Sequence, residues 1–244
     1  MSTIQVVKKE TINRLVKDIK QIIKNPLIDN GIYYSHDESE MLKGYAMIVG
    51  PTDTPYFGGF YFFEFQYPCD YPFSPPKVTY MTNNGLTRFN PNLYKCGKVC
   101  VSILNTWSGD KWSSCQTINS ILLTLCSLLN NSPLENEPHQ DKHSPDFIPY
   151  QNTIEYCNID FAICSLINNT NKIIPLSFEK FYPLMRENFL RNYDKIHQLV
   201  SEKNGVCSIE LVKIYAMNTK IDYAYLKCKL EMVKTIVDMN VNYH

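Results

Sequence analysis

The 244-residue chain contains no run of about 18 apolar residues, so no membrane-spanning helix is expected. Its first ten residues, Met1 to Glu10, hold no continuous apolar stretch, and a secretory signal is not expected either. Neither sign of charge is in surplus, with 24 Lys and Arg against 24 Asp and Glu. A basic face over the whole domain is therefore not expected, and nucleic-acid binding loses its electrostatic footprint. An acidic tail and a polybasic membrane tether are missing as well. No two cysteines stand as Cys-x-x-Cys, which leaves a zinc ribbon or a thioredoxin-type motif without support. Internal repeats and low-complexity segments are lacking.

What is present suits a folded chain. Apolar residues make up 44%, enough for a sizeable core, and the length allows one domain plus an appendage. The nine cysteines, Cys69, Cys96, Cys100, Cys115, Cys126, Cys157, Cys164, Cys207 and Cys228, are odd in number and irregular in spacing. That usage points to a reducing intracellular compartment, cytoplasm or nucleus, with mostly buried structural thiols.

Apolar Ile12, Leu15, Val16, Ile19, Ile22 and Ile23 recur at helical spacing, with Arg14, Lys17, Asp18 and Lys20 on the opposite face. Lys24-Asn25-Pro26 ends this helix. The polar face reads as a solvated surface or as a basic docking face. Strand-like segments follow at 31–34, 43–49, 57–66 and 77–81, separated by turns rich in Pro, Gly and Asp. An antiparallel four-stranded meander is the natural expectation, and helices before and after it make the class α+β. Regularity fails between Met81 and Trp112, and so long an aperiodic stretch inside a compact domain reads as a functional loop. Helical periodicity returns over 117–129, with N-capping groups at Ser114 to Thr117, and again over 150–167. Asn169-Thr170-Asn171-Lys172 reads as a linker, with further helical patterns over 178–200 and 223–237. The expected division is a core at 8–170 and a helical C-terminal extension at 171–244.

One run carries chemistry: Arg88-Phe89-Asn90-Pro91-Asn92-Leu93-Tyr94-Lys95-Cys96-Gly97-Lys98-Val99-Cys100. It sets a cysteine in a Gly-punctuated loop, where a thiol is easier to reach than on an apolar helix face. An Asn carboxamide eight residues upstream can donate to an oxyanion. From these residues alone Cys100 is either a nucleophile or a structural thiol. Cys96, four residues before it, could pair in a metal site or a disulfide, but the spacing matches no zinc signature. His139 and His143 suggest a Cys–His hydrolase, which nothing else in the chain supports. Trp107 and Trp112 read as loop-anchoring core residues.

The same run resembles the active-site signature of the ubiquitin-conjugating enzyme family, His-Pro-Asn followed by Gly-x-Ile-Cys with the cysteine eight residues after the Asn. Other marks stand in the matching order. They are Val49 to Gly59, Tyr67-Pro68-Cys69-Asp70-Tyr71-Pro72-Phe73-Ser74-Pro75-Pro76-Lys77, Trp112-Ser113 and Glu137-Pro138. The resemblance covers residues 12–167. Three departures resemble the Z-type subgroup: Asn90 at the family's His position, Ser102 where most members have Asp, and the extra Leu104 to Gly109 segment.

The resemblance implies the ubiquitin-conjugating fold and a chemistry. Cys100 would take the C-terminus of ubiquitin or a ubiquitin-like modifier from an activating enzyme as a thioester, and pass it to a substrate lysine or a ligase. Asn92 would stabilise the oxyanion, or act only as a turn-former. Asn90 would be structural. Glu137 would orient or desolvate the incoming amine, or be a solvated loop carboxylate. Ser102 cannot supply an Asp's charge. Asn13, Arg14 and Lys17 on the first helix would face the activating enzyme and ligases. Tyr67, Pro68, Ser114 and Cys115 would lie in two loops presented to ligases. No metal and no directly bound cofactor are implied, since ATP is consumed by the upstream activating enzyme.

Overall fold

A computed structural model describes residues 7–169 and 173–241. The expected signal-free N-terminus up to Val6, most of the Asn169 to Lys172 linker and the boundary between 170 and 171 lie outside the described residues.

The first helix, α1, spans Lys9–Lys24 and buries Thr11, Leu15, Asp18 and Ile22. Steps of four, three and four residues keep these positions on one stripe of a 3.6-residue helix. Here the structure corrects the sequence reading: Asp18 is not on the solvated face but 2% exposed, while Ile23 is 73% exposed. The carboxylate tolerates burial because it is satisfied twice, by Arg14 Nε at 2.9 Å and by the Tyr71 hydroxyl at 2.5 Å.

Four antiparallel strands follow as expected: β1 (Ile32–His36), β2 (Lys43–Val49), β3 (Phe60–Gln66) and β4 (Lys77–Tyr80), in the order β1-β2-β3-β4. In β2, six consecutive residues from Gly44 to Val49 are buried. The usual in–out alternation of an antiparallel sheet is lost because both faces are covered. One face carries Ala46, Ile48, Tyr61, Phe63 and Phe65, set by the pairs Ala46–Phe63 and Ile48–Tyr61. It packs on the rest of the core, for example through Tyr61 against Phe89. The other face carries Tyr45, Met47 and Phe62, and the C-terminal extension covers it. Phe178 meets the rings of Tyr45 and Phe62 at 5.3 and 5.0 Å, and Asn188 donates to the Tyr33 hydroxyl at 3.1 Å.

Helix α2 (Ile118–Ser127) starts at Thr117, whose hydroxyl accepts from the Ser120 N–H while the Ser120 hydroxyl accepts from the Thr117 N–H. Its buried Ile118, Ile121, Leu122 and Leu125 form the apolar stripe read from the sequence. The helix expected over 150–167 forms as α3 (Phe147–Cys157), a π-helical stretch (Asn158–Ser165) and α4 (Leu166–Asn168). The widening has a local cause. The Asp160 carbonyl is taken by the Ser165 hydroxyl and by Lys229 Nζ, each at 2.9 Å.

The extension holds α5 (Tyr182–Glu202) and α6 (Tyr223–Val241), as the helical patterns suggested. Between them lies an antiparallel hairpin not anticipated from the sequence, β5 (Cys207–Val212) and β6 (Met217–Asp222). A single apolar cluster runs from Leu15 through the sheet to Val237. Burying one Phe side chain in it contributes about 1.5–3 kcal/mol.

Candidate active site

The irregular segment before Cys100 is a tightly bonded loop. The Cys100 N–H donates to the Asn92 carbonyl at 2.9 Å, and the Asn92 side-chain Nδ2 donates to the Cys100 carbonyl at 2.7 Å. Bridges pair Leu93 with Val99 and Asn90 with Leu93. The carboxamide predicted from sequence is therefore beside the cysteine, with one of its two N–H groups engaged there.

Asn90, at 0% exposure, organises this loop from below. Its Nδ2 donates to the Tyr56 hydroxyl at 2.9 Å and to the Leu128 carbonyl at 2.8 Å. Its Oδ1 accepts from the Asn92 N–H at 3.0 Å and from Asn136 Nδ2 at 3.4 Å. Asn136 also donates to the Leu128 carbonyl at 3.0 Å and immediately precedes Glu137. Cys100, Asn92, Asn90 and the segment carrying Glu137 are thus joined by one chain of hydrogen bonds.

Arg88 closes the loop from the other side. Its guanidinium lies 3.7 Å from the Tyr94 ring centroid and 4.5 Å from that of Tyr215, and Nη2 donates to the Pro91 carbonyl. The Arg88 carbonyl accepts from the Tyr150 hydroxyl at 2.8 Å. Tyr215 belongs to the extension, so the extension reaches the loop.

One expectation is overturned. Cys100 is 1% exposed and is not a readily reached thiol. The segment after it folds back instead of opening. Ser102–Leu104 form a 3-10 turn ended by Asn105 in the left-handed region at φ 59. The Thr106 hydroxyl then accepts from the Val101 N–H at 3.0 Å and donates to the Val101 carbonyl at 3.1 Å. Aperiodic sequence proved compatible with a closed, hydrogen-bonded loop. Cys100 nonetheless stands outside the contiguous apolar cluster to which the buried thiols Cys157 and Cys164 belong. Burial pushes those two thiols up, to about 11 and about 12. Nor are the nine thiols mostly buried: Cys96, Cys115, Cys207 and Cys228 are exposed.

Glu137 is half-buried and not a freely solvated carboxylate, since its Oε2 accepts from the Tyr215 hydroxyl at 2.6 Å. Ser102 is half-buried beside Gly109, whose added Cβ would meet the Ser102 Cβ at 3.2 Å. His139 and His143 are exposed, and among the described residues neither hydrogen-bonds to Cys100.

The proposed partner residues divide. Asn13, Lys17, Ser114 and Cys115 are exposed, and Pro68 is half-buried. Arg14 is not free to dock. Besides Asp18 it donates to the Ser114 carbonyl at 2.7 Å and the Gln116 carbonyl at 2.5 Å, tying α1 to the loop before α2. Tyr67 is 2% exposed, its hydroxyl 2.9 Å from that of Tyr34, and so presents no surface to a partner. Trp112 anchors its loop as read, with Nε1 donating to the Pro72 carbonyl at 2.7 Å, whereas Trp107 is exposed and no core residue.

The chain is similar to known proteins. The family model described as ubiquitin-conjugating enzyme matches residues 14–156. Ubiquitin-conjugating enzyme E2 Z of Xenopus tropicalis is 40% identical over 184 residues, covering 74% of this chain and 57% of that protein. The protein of the same name from Homo sapiens is 41% identical over 184 residues, covering 74% and 50%. Putative ubiquitin-conjugating enzyme E2 39 of Arabidopsis thaliana is 31% identical over 242 residues, covering 96% and 72%. The chain spans about half the length of the two E2 Z relatives.

Proposed function

The chain belongs to the ubiquitin-conjugating enzyme family, in its Z-type subgroup, and on that premise we propose that Cys100 carries ubiquitin or a ubiquitin-like modifier as a thioester. The modifier comes from an activating enzyme, which spends the ATP, and leaves to a substrate lysine or a ligase cysteine. The observation that carries this reading is the Asn92 side chain, 2.7 Å from the Cys100 carbonyl, with its second N–H unengaged among the described residues. A carboxamide held at the reacting cysteine can donate to the charge that builds on a thioester carbonyl under attack. The covalent exchange is close to isoenergetic, so positioning supplies most of the rate.

The thiolate is the nucleophile. With Cys100 1% exposed, loading requires the segment around it to open. Nine cysteines, odd in number and irregular in spacing, suit a reducing intracellular setting. The exposed Asn13, Lys17, Ser114 and Cys115 are the positions we assign to the activating enzyme and ligases; Arg14 and Tyr67 are left out.

The burial of Cys100 is also the observation that favours a second reading, a non-catalytic module of the same fold. Loading decides between them. The chain is mixed with activating enzyme, Mg-ATP and a panel of modifiers, then run on a non-reducing gel. A reductant-sensitive adduct absent from Cys100→Ala is expected. No adduct with any modifier, or one that survives Cys100→Ala, overturns the conjugating-enzyme reading.

A further inference from the structure

Glu137 and Tyr215 are separated by 78 residues, yet the Tyr215 hydroxyl donates to Glu137 Oε2 at 2.6 Å. The phenol is placed by three independent contacts. Its ring packs on Tyr150 with centroids 5.5 Å apart, and the Arg88 guanidinium lies 4.5 Å over its centroid. The turn that carries it, Lys213–Tyr215, is held by Asp146, whose two carboxylate oxygens accept from the Lys213 and Ile214 N–H groups at 2.9 Å each. Burial, and then the hydrogen bond to the Glu137 carboxylate, push the Tyr215 hydroxyl well above its ordinary range. It therefore stays protonated and donates. Glu137 keeps Oε1 without a hydrogen bond among the described residues.

We infer that Tyr215, a residue of the C-terminal extension, is a positioning residue for amine attack on the Cys100 thioester, acting through the Glu137 carboxylate. The inference rests on the conjugating-enzyme reading above. In that step the lysine nitrogen bonds to the thioester carbon. The carbon–sulfur bond breaks, and its electron pair leaves with Cys100. The proton lost by the amine ends, through water, on the departing thiolate. Glu137 accepts a hydrogen bond from the amine through its unoccupied oxygen, and Tyr215 holds the other so that the carboxylate does not turn away. The extension thereby holds the carboxylate of Glu137 although it lies outside the matched region 14–156.

The test is single-turnover discharge of the preloaded full chain to free lysine, for wild type, Tyr215→Phe, Glu137→Gln and the double variant. Tyr215→Phe keeps the ring and its contacts and deletes only the hydroxyl. Loading is expected to proceed at the wild-type rate while discharge slows roughly three- to tenfold, the scale of one ordinary hydrogen bond acting through Glu137. Discharge is expected to slow further in Glu137→Gln, with no added loss in the double variant. A purely structural role would lower loading and discharge together and add to Glu137→Gln, and that result overturns the inference. Normal loading with wild-type discharge in Tyr215→Phe overturns the inference alone. Failure of the wild-type chain to form a Cys100 thioester overturns the proposed function and this inference with it.

Discussion

The Oδ1 of Asn90 accepts the backbone N–H of Asn92 at 3.0 Å, so the residue at the family's His position holds the residue that donates to Cys100. All four hydrogen-bonding positions of the Asn90 carboxamide are used, and the side chain is fully buried. Asn90→Ala leaves the Leu128 carbonyl and the Asn92 N–H short of partners inside the fold. A loss of about 1–3 kcal/mol is expected, read as a lower midpoint in urea with an unchanged slope. Asn90→Asp should cost more, because a carboxylate then faces the Leu128 carbonyl with nothing to donate. Equal midpoints for wild type and Asn90→Ala would show that the network is not what orders the loop.

The Thr106 hydroxyl, which both accepts from and donates to Val101, ties down the segment that follows Cys100. Thr106→Ala removes both bonds and should raise the rate of Cys100 alkylation by iodoacetamide roughly three- to tenfold. Peptide mass spectrometry follows the modification, with exposed Cys96 as an internal reference whose rate stays constant. Parallel changes at both cysteines would mean general loosening, and no change at Cys100 would place its cover elsewhere.

The extension seals the sheet through Phe178. It is 0% exposed against Tyr45 and Phe62, while Leu176 two residues earlier is 82% exposed. Phe178→Ala should destabilise the whole chain by about 3–5 kcal/mol. Leu176→Ala should fall within about 0.5 kcal/mol of wild type. Thermal melts of both variants check this. Similar midpoints would mean that residues after 173 are an appendage with little part in the core.

Much of this was legible in the sequence. The meander announced itself through Gly50-Pro51 and Ser74-Pro75-Pro76 between apolar runs, and β2 has the expected limits, Lys43–Val49. α1 and α2 followed from residues three and four apart. The hairpin β5–β6 did not, for a physical reason. Its connection runs through the turn Lys213–Tyr215 and closes on Ala216 at φ 48, a left-handed position with neither Gly nor Asn to signal it. The closed state of Cys100 was hidden because side-chain tethers such as Thr106 leave no periodicity. Asp18 was misplaced because its burial depends on Tyr71, 53 residues away. The bond between Tyr215 and Glu137 had no sequence signal, since long-range polar pairs leave no mark on spacing.

A last prediction concerns acid. His36 Nε2 lies 2.8 Å from the Met41 carbonyl and so carries the proton, which leaves Nδ1 to accept from the Tyr34 hydroxyl at 2.8 Å. Tyr34 in turn accepts from Tyr67 at 2.9 Å. Burial holds His36 below its ordinary value, with Lys180 adding to that direction and the Met41 bond and Asp37 opposing it. Protonating Nδ1 turns its acceptor into a donor. The Tyr34 proton must then face Tyr67, whose own hydroxyl proton loses its acceptor in a 2%-exposed site. The folded state therefore binds this proton less readily than the unfolded chain. The stability His36 contributes is fully present above the unfolded value of about 6.5 and is lost as pH falls through the lower folded value. His36→Gln keeps a donor and an acceptor but cannot titrate, so its melting temperature should fall less between about pH 7 and pH 5, the range that brackets the ordinary histidine value of about 6.5. Identical slopes for the two proteins would remove His36 from the chain's acid sensitivity and leave its carboxylates as the cause.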